Sequence, residues 1–353
     1  MDGMVNENKT AGRNILLIRF SSIGDVAICV PVVYSLSRAY PECGFTFLTS
    51  ERFLPFFRNL PSNVNLLGVD IKKDYHGWGG LLRLYRMVSS GRFDAVADLH
   101  GVLRSFFLDM MFRLHGIPVS IIKKDRISRY RLTRFHFKDF SPRTTSLERY
   151  RKVLEQSGFT FNIEFSSIFA GEGGNLNLIS PFTGDKVKPW IGVAPFAAHE
   201  GKVYPLELME KVVSGIDSAV DCCQFIFAYG KEREIVEKWA KKYPSVKLID
   251  TRLGLEGELV LISHLSVMLS MDSSNMHIAS LTATPVVSVW GATHPYAGFL
   301  GYGQKSEDCI QIELDCRPCS IYGEKRCRYG DFRCMRGISP DFVKSKVLSY
   351  LSR

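Results

Sequence analysis

The stretch RFSSIGDVAICVP, Arg19 to Pro31, sets an aspartate, Asp25, just beyond the apolar run Ile15 to Ile18 and at the start of a helical pattern. A carboxylate at a strand tip can take a proton from an attacking hydroxyl. It can also simply cap the helix. A second acid, Asp272, ends the run VMLSMD and is followed by Ser273, Ser274 and, within the next helix, His277. Backbone N–H groups at a helix N-terminus form an anion site that suits a diphosphate. The competing reading is that Asp272 or Ser273 caps the helix and His277 packs. The next strand ends at Gly291-Ala292-Thr293, beside the same site. Lys202, in the loop FAAHEGKVYP, is either a diphosphate partner or a solvated loop lysine. Four cysteines spaced Cys316-x2-Cys319-x7-Cys327-x6-Cys334 suggest a structural zinc site, although in a zinc ribbon the two CxxC knuckles lie further apart. The alternative is a loop of reduced thiols.

Some chemistries are excluded by what is missing. There is no GxxxxGK[ST] and no GxGxxG after the first strand, so neither a P-loop nor the usual dinucleotide fold is expected. An Asp-x-Asp pair is also absent, which points to neutralisation of a diphosphate by Lys, Arg and helix dipoles rather than by a divalent metal.

The elements that must position these residues alternate. In the first half, short apolar runs (ILLI, GFTFLTS, VNLLGVD, DAVADLHG) are separated by helical patterns, and TSLERYRKVLEQSG closes that half. The segment from Gly171 to Pro189 is rich in Gly, Asn, Ser and Pro and reads as a linker. The second half repeats the alternation through WIGVAPF, CQFIFAYG, VKLID, VMLSMD and PVVSVWG. This predicts two doubly wound α/β domains in tandem, with ligands beyond the carboxyl ends of the strands and a cleft between the domains. The expected boundaries are a disordered leader at 1–13, a first domain at 14–170, a linker at 171–189 and a second domain at 190–353.

The chain has 353 residues, 46% apolar and 23% charged, with a net charge of +9. No apolar run approaches the ~18 residues of a membrane helix, and the polar start MDGMVNENKT is unlike a signal peptide. A cytoplasmic protein is expected, in which disulfides are disfavoured. The run from Ile121 to Lys138 is dense in Lys and Arg with interleaved aromatics. Such a stretch could bind nucleic acid, but no nucleic-acid motif accompanies it, and an anionic membrane surface or a phosphate-bearing glycolipid fits it as well.

Four segments together resemble glycosyltransferase family 9, the bacterial heptosyltransferases of lipopolysaccharide core assembly. They are ILLIRFSSIGDVAICVP, FDAVADLHGVLRS, PFAAHEGKVYP and LSMDSSNMHIASLTATPVVSVWGATHP. The resemblance runs from about residue 14 to the C-terminus, and CRPCSIYGEKRCRYGDFRCM resembles a cysteine cluster of some members. It implies a GT-B fold, two Rossmann-like domains facing across a cleft. It also implies an inverting, metal-independent transfer from a nucleotide sugar, ADP-heptose in the best-known members, onto a growing lipopolysaccharide core. On that resemblance Asp25 is the catalytic base, with Ser21, Ser22, Gly24, His100 and Arg104 on the acceptor side; the charge of the basic run adds Arg129 and Arg131 there. Lys202, Asp272, Ser273, Ser274, Met276, His277, Gly291 and Thr293 fall on the donor side, and Glu232 or Glu234, just beyond the strand ending at Gly230, is placed by position to accept hydroxyls of the donor ribose or sugar. The expected partners are a nucleotide-sugar donor and an anionic glycolipid acceptor, with peripheral contact at the inner membrane surface. No catalytic cofactor is expected, and zinc would be structural, at Cys316, Cys319, Cys327 and Cys334.

The chain departs from the family pattern at Ala197 and Ala198, at His100 where Gln is usual, at Ser274 in place of Gly and at Tyr204 in place of Trp. These changes bear on the identity of sugar and nucleotide more than on the reaction. The rival readings are a nucleotide-sugar epimerase or hydrolase on the same fold, and a non-catalytic glycan-binding relative.

Overall fold

The structure is a computed structural model that describes residues 11–351. Among the described residues the chain forms two compact units, 11–124 with Ser146–Phe165, and Asp125–Thr145 with 166–351.

The first unit runs β1 (Asn14–Ile18), α1 (Ile23–Ala39), β2 (Gly44–Ser50), β3 (Val64–Val69), α2 (Gly77–Ser89), β4 (Ala95–Asp98), α3 (Leu103–Leu114) and β5 (Val119–Ile121). The chain then leaves for α4 (Arg126–Thr133), which belongs to the second unit, and returns with α5 (Ser146–Gln156). Among the described residues the strands form one parallel sheet in the order β3-β2-β1-β4-β5. A parallel sheet is covered on both faces, so its central strands are apolar throughout, and Ile15 to Ile18 are fully buried. Leu16 and Ile18 pack with Leu84 and Val88 of α2 and with Leu108 and Phe112 of α3.

The second unit continues with α6 (Ser180–Thr183), β6 (Trp190–Ala194), α7 (Leu206–Ala219), β7 (Cys223–Ile226), α8 (Lys231–Lys242) and β8 (Val246–Leu248). It ends with α9 (Gly254–Ser263), β9 (Val267–Met271), α10 (Ser274–Leu281), β10 (Val286–Val289), β11 (Cys309–Ile310), α11 (Arg333–Arg336) and α12 (Pro340–Leu348). Its parallel sheet is ordered β11-β10-β9-β6-β7-β8. Counted from β6, this is the doubly wound order with its reversal between the first and fourth strands. Ile191 and Val193 share a core with Val212, Val213 and Ile216 of α7 and Val343 and Val347 of α12.

The boundaries differ from those expected. The basic run is not part of the first unit beyond Lys124. Leu132 of α4 packs with Ala297 and Ile321, and the Lys138 ammonium donates to the carbonyls of Asp315 (2.6 Å) and Arg317 (2.8 Å). The expected linker, 171–189, belongs to the second unit and, though mostly exposed, is pinned to it at particular residues. Ile179 is fully buried, the Gly174 N–H donates to Ser263 Oγ (2.9 Å), and a Cβ at Gly174 would stand 2.7 Å from Val260. The expected leader at 1–13 lies mostly outside the described residues. Within them, Arg13 donates to the Ser157 carbonyl (3.0 Å).

Candidate active site

In each sheet the strand order reverses beside the first strand, and the loops there splay apart and leave a crevice. In the first unit those loops follow β1 and β4. Asp25 sits in the first turn of α1. Its Oδ2 pairs with Arg19 Nη2 (2.5 Å) and accepts from Ser22 Oγ (2.8 Å) and, more weakly, from the Ser22 N–H (3.4 Å). The Tyr150 hydroxyl donates to Oδ1 (3.3 Å). The carboxylate thus takes part in capping α1 and stays part-exposed, at 29%, rather than sealed inside the helix start. Arg19 is buried, and its Nη1 donates to the Leu99 carbonyl (2.6 Å), tying the β1 loop to the β4 loop. Tyr150 is fully buried, and that burial holds its phenol protonated.

The β4 loop is shaped by Asp98, whose carboxylate accepts from the N–H groups of His100 (2.7 Å) and Gly101 (3.0 Å). Gly101 takes φ 61°, which favours glycine, and a Cβ there would stand 3.0 Å from Ile122. His100 is buried, with Nε2 3.5 Å from Ser21 Oγ. Burial first, then Arg19, lowers its pKa to about 3, so the imidazole is neutral at physiological pH. Ser21, His100 and Arg104 line a cavity of about 560 Å³ together with Arg52, Lys72 and Asp70. Gly24, by contrast, is buried inside α1. Arg129 and Arg131 lie in the second unit, not with this cavity. The buried Arg129 donates to the Tyr322 hydroxyl (2.7 Å) and lies over the Phe299 ring, so it is engaged in packing. Arg131 is exposed on α4.

In the second unit the corresponding loops follow β6 and β9, and they bring Lys202 and Asp272 together. Lys202 Nζ is 3.0 Å from Asp272 Oδ2, and the buried Thr293 hydroxyl donates to the same oxygen (2.7 Å). Asp272 is thus a buried holder of Lys202 rather than an exposed ligand group. Ser273 is the N-cap residue of α10 with extended backbone, and Ser274 begins the helix. His277 lies buried one turn in. Met276 is fully buried in the core, which removes its side chain from the expected donor contacts. Gly291 serves close packing, because a Cβ there would fall 2.6 Å from Met335 and 2.7 Å from the Gly201 carbonyl oxygen. Glu232 and Glu234 occupy the first turn of α8. Nearby, the Tyr229 hydroxyl donates to the buried Glu258 (2.7 Å). Burial, then Glu258 and Glu232, push the Tyr229 phenol up, and burial likewise raises Glu258.

The four clustered cysteines, Cys316, Cys319, Cys327 and Cys334, line one small cavity with Arg317, Lys325, Arg328 and Arg333. Four thiols are a zinc-type donor set. Among the described residues, however, no group of three or more His, Cys, Asp or Glu side chains is arranged to hold a metal ion. The loop is anchored beside the Lys202 site. The N–H groups of Cys319 (3.0 Å) and Ser320 (3.2 Å) donate to the Ala292 carbonyl. Buried Arg317 donates to the carbonyls of Gly291, Thr293 and Ile312. Arg19, Asp98, Tyr150, Glu258 and Arg317 were absent from the sequence-derived candidates. The signal for Glu258 was an acid leading into an apolar helix, and Arg317 sat unnoticed between two cysteines.

Two Rossmann-like units in tandem, each a parallel sheet with its own switch point, are the architecture of the GT-B class. Residues 81–329 match the profile of glycosyltransferase family 9 (heptosyltransferase), and the chain belongs to that family. It is 24% identical over 305 residues to the lipopolysaccharide core heptosyltransferase OpsX of Haemophilus influenzae, covering 81% of each chain. The glycosyl transferase family 9 structure from Veillonella parvula superposes with a TM-score of 0.72 at 18% identity, covering 98% of this chain and 99% of that one. The E. coli heptosyltransferase WaaC with ADP-2-deoxy-2-fluoro heptose gives a TM-score of 0.66 at 16% identity, covering 95% and 99%. The protein is a glycosyltransferase. Among the described residues no helix is long and apolar enough to cross a membrane.

Proposed function

We propose that this glycosyltransferase moves heptose from ADP-heptose onto a lipopolysaccharide core or a related anionic glycolipid, with inversion and without a catalytic metal, at the cytoplasmic face of the membrane. The observation that carries the reading is the pair of switch-point groups in a family 9 chain, Asp25 held by Arg19 and Ser22 and Lys202 held by Asp272. Asp25 takes the proton as an acceptor hydroxyl attacks the anomeric carbon. The bond to the diphosphate breaks on the opposite face. The departing ADP is neutralised by Lys202 and by the N–H groups at Ser273–Ser274. Arg52, Lys72 and Arg104 around the first unit's cavity supply positive charge for an anionic acceptor.

The four cysteines are read as a structural site that closes on one metal ion, zinc by the chemistry of four thiolates. The cations lining the cavity would offset the thiolate charge. Its role would be to brace the loop that buttresses Ala292 and Thr293.

The test is a brief transfer assay in EDTA with ADP-, UDP-, GDP- and CMP-sugars, with and without a heptose-deficient core acceptor. The expected result is acceptor-dependent release of ADP from ADP-heptose alone, at a rate EDTA leaves intact. A rate that collapses and returns with Mg²⁺ or Mn²⁺ overturns metal independence. Donor turnover without acceptor would favour an epimerase or hydrolase.

A further inference from the structure

The solvent side of a surface helix is ordinarily polar, and α3 breaks that rule. Its inward face is formed by Ser105, Leu108, Asp109 and Phe112, all buried. Its outward face carries Leu103, Phe106, Met110 and Leu114, spaced three, four and four residues apart so that they fall in one stripe along the helix. They are 87%, 43%, 50% and 72% exposed. Trp78, at the start of the neighbouring α2 and 76% exposed, lies beside the stripe with its ring 5.8 Å from that of Phe107. Four exposed arginines flank it, Arg83 and Arg86 on α2 and Arg104 and Arg113 on α3. The two helices contain no acid other than the buried Asp109. Just before α2 the exposed Asp74 accepts from Arg83 through its carbonyl (2.9 Å), so the border is predominantly cationic, and an apolar stripe with such a border and an interfacial tryptophan matches an anionic lipid surface. The stripe also begins at the acceptor cavity, since Leu103 and Arg104 line both.

We propose that the α2–α3 face of the first unit docks on an anionic bilayer. The stripe and Trp78 enter the headgroup–acyl boundary and the four arginines sit at the level of the lipid phosphates. The cavity mouth is thereby held at the membrane surface, where the sugar portion of a lipid-anchored acceptor emerges. The role of this contact in catalysis rests on the glycolipid acceptor proposed above, but the contact itself does not require it.

Plain vesicles without any glycolipid acceptor separate the two. Full-length protein is mixed with phosphatidylethanolamine–phosphatidylglycerol vesicles (3:1) or with phosphatidylcholine vesicles, and flotation and tryptophan emission are followed. The other three tryptophans, Trp190, Trp239 and Trp290, are buried, so a blue shift reports Trp78. Binding and a blue shift are expected with the anionic vesicles only, weakening as salt rises. Met110→Ser with Leu114→Ser, and separately Arg86→Glu with Arg113→Glu, should each weaken binding at least tenfold. Trp78→Phe should abolish the shift. Transfer to a soluble, deacylated acceptor should stay unchanged in the Met110/Leu114 variant, which tests the transferase reading independently. Failure of the wild type to float at low salt overturns the proposal, as does wild-type binding by the charge-reversal variant. A wild-type dimer that the Met110/Leu114 variant converts to monomer, without vesicle binding, would assign the stripe to a second copy of the chain and also overturn it.

Discussion

At the scale of single residues, the site is built from charged groups that are already partnered. Lys202 sits against a buried Asp272, so Lys202→Ala would do more than remove a diphosphate contact. It would leave a buried carboxylate without its counter-charge, which typically costs roughly 3–5 kcal/mol. A double substitution separates the two effects. Lys202→Met should lower both Tm and donor affinity. Adding Asp272→Asn should recover much of the Tm but not the affinity, which stays down by about ten- to a hundred-fold for one lost charged hydrogen bond. Calorimetric donor titration beside thermal melts reads both. His100 makes a pH prediction with a definite sign. Its pKa is about 3 in the fold and ~6.5 in the unfolded chain. Between those values the unfolded chain holds a proton that the folded one lacks, so stability is full above the upper value and falls as pH drops. His100→Gln removes that titration and should flatten the loss of Tm between pH 7 and pH 4. A variant that loses Tm as steeply as the wild type would refute a buried neutral imidazole.

At the scale of elements, the loops beyond the strand ends depend on one arginine and several close approaches. Arg317 satisfies three loop carbonyls from a buried position. Arg317→Ala should therefore cost roughly 1–3 kcal/mol for each buried carbonyl left unpaired, seen as a lower midpoint in urea unfolding. The strand–helix alternation was legible in the sequence because parallel strands are continuous apolar runs and their crossover helices carry a 3.6-residue period. Asp25, Lys202 and Asp272 were legible because they stand where those runs stop. Arg129 misled because a cation in a basic run reads as exposed, whereas here aromatic rings from residues far along the chain bury it. Residues 171–189 misled because their turn-rich composition hides Ile179, which tertiary packing buries. Met276 misled because its motif neighbours set the expectation, whereas α10 is buried all round from Met276 to Leu281 and takes its side chain into the core.

At the scale of the whole molecule, the proposed function divides the work between the two units, and the four-cysteine loop belongs to the second. If that loop holds one structural ion, metal analysis of protein purified without chelator should find about one metal per chain. Prolonged chelation should lower Tm while a brief EDTA exposure leaves the initial rate intact. Metal-free protein with all four thiols readily titrated would refute the site. The central claim is that the first unit supplies the base and the second holds the donor. Asp25→Asn keeps the side chain's size while removing its basicity. The most direct test is therefore its kcat for transfer measured beside its Kd for ADP-heptose. The account predicts a kcat lower by about 10²–10⁴-fold with Kd within a factor of two of the wild type and an unchanged Tm. A variant that folds, binds donor and still turns over within tenfold of the wild-type rate would contradict it.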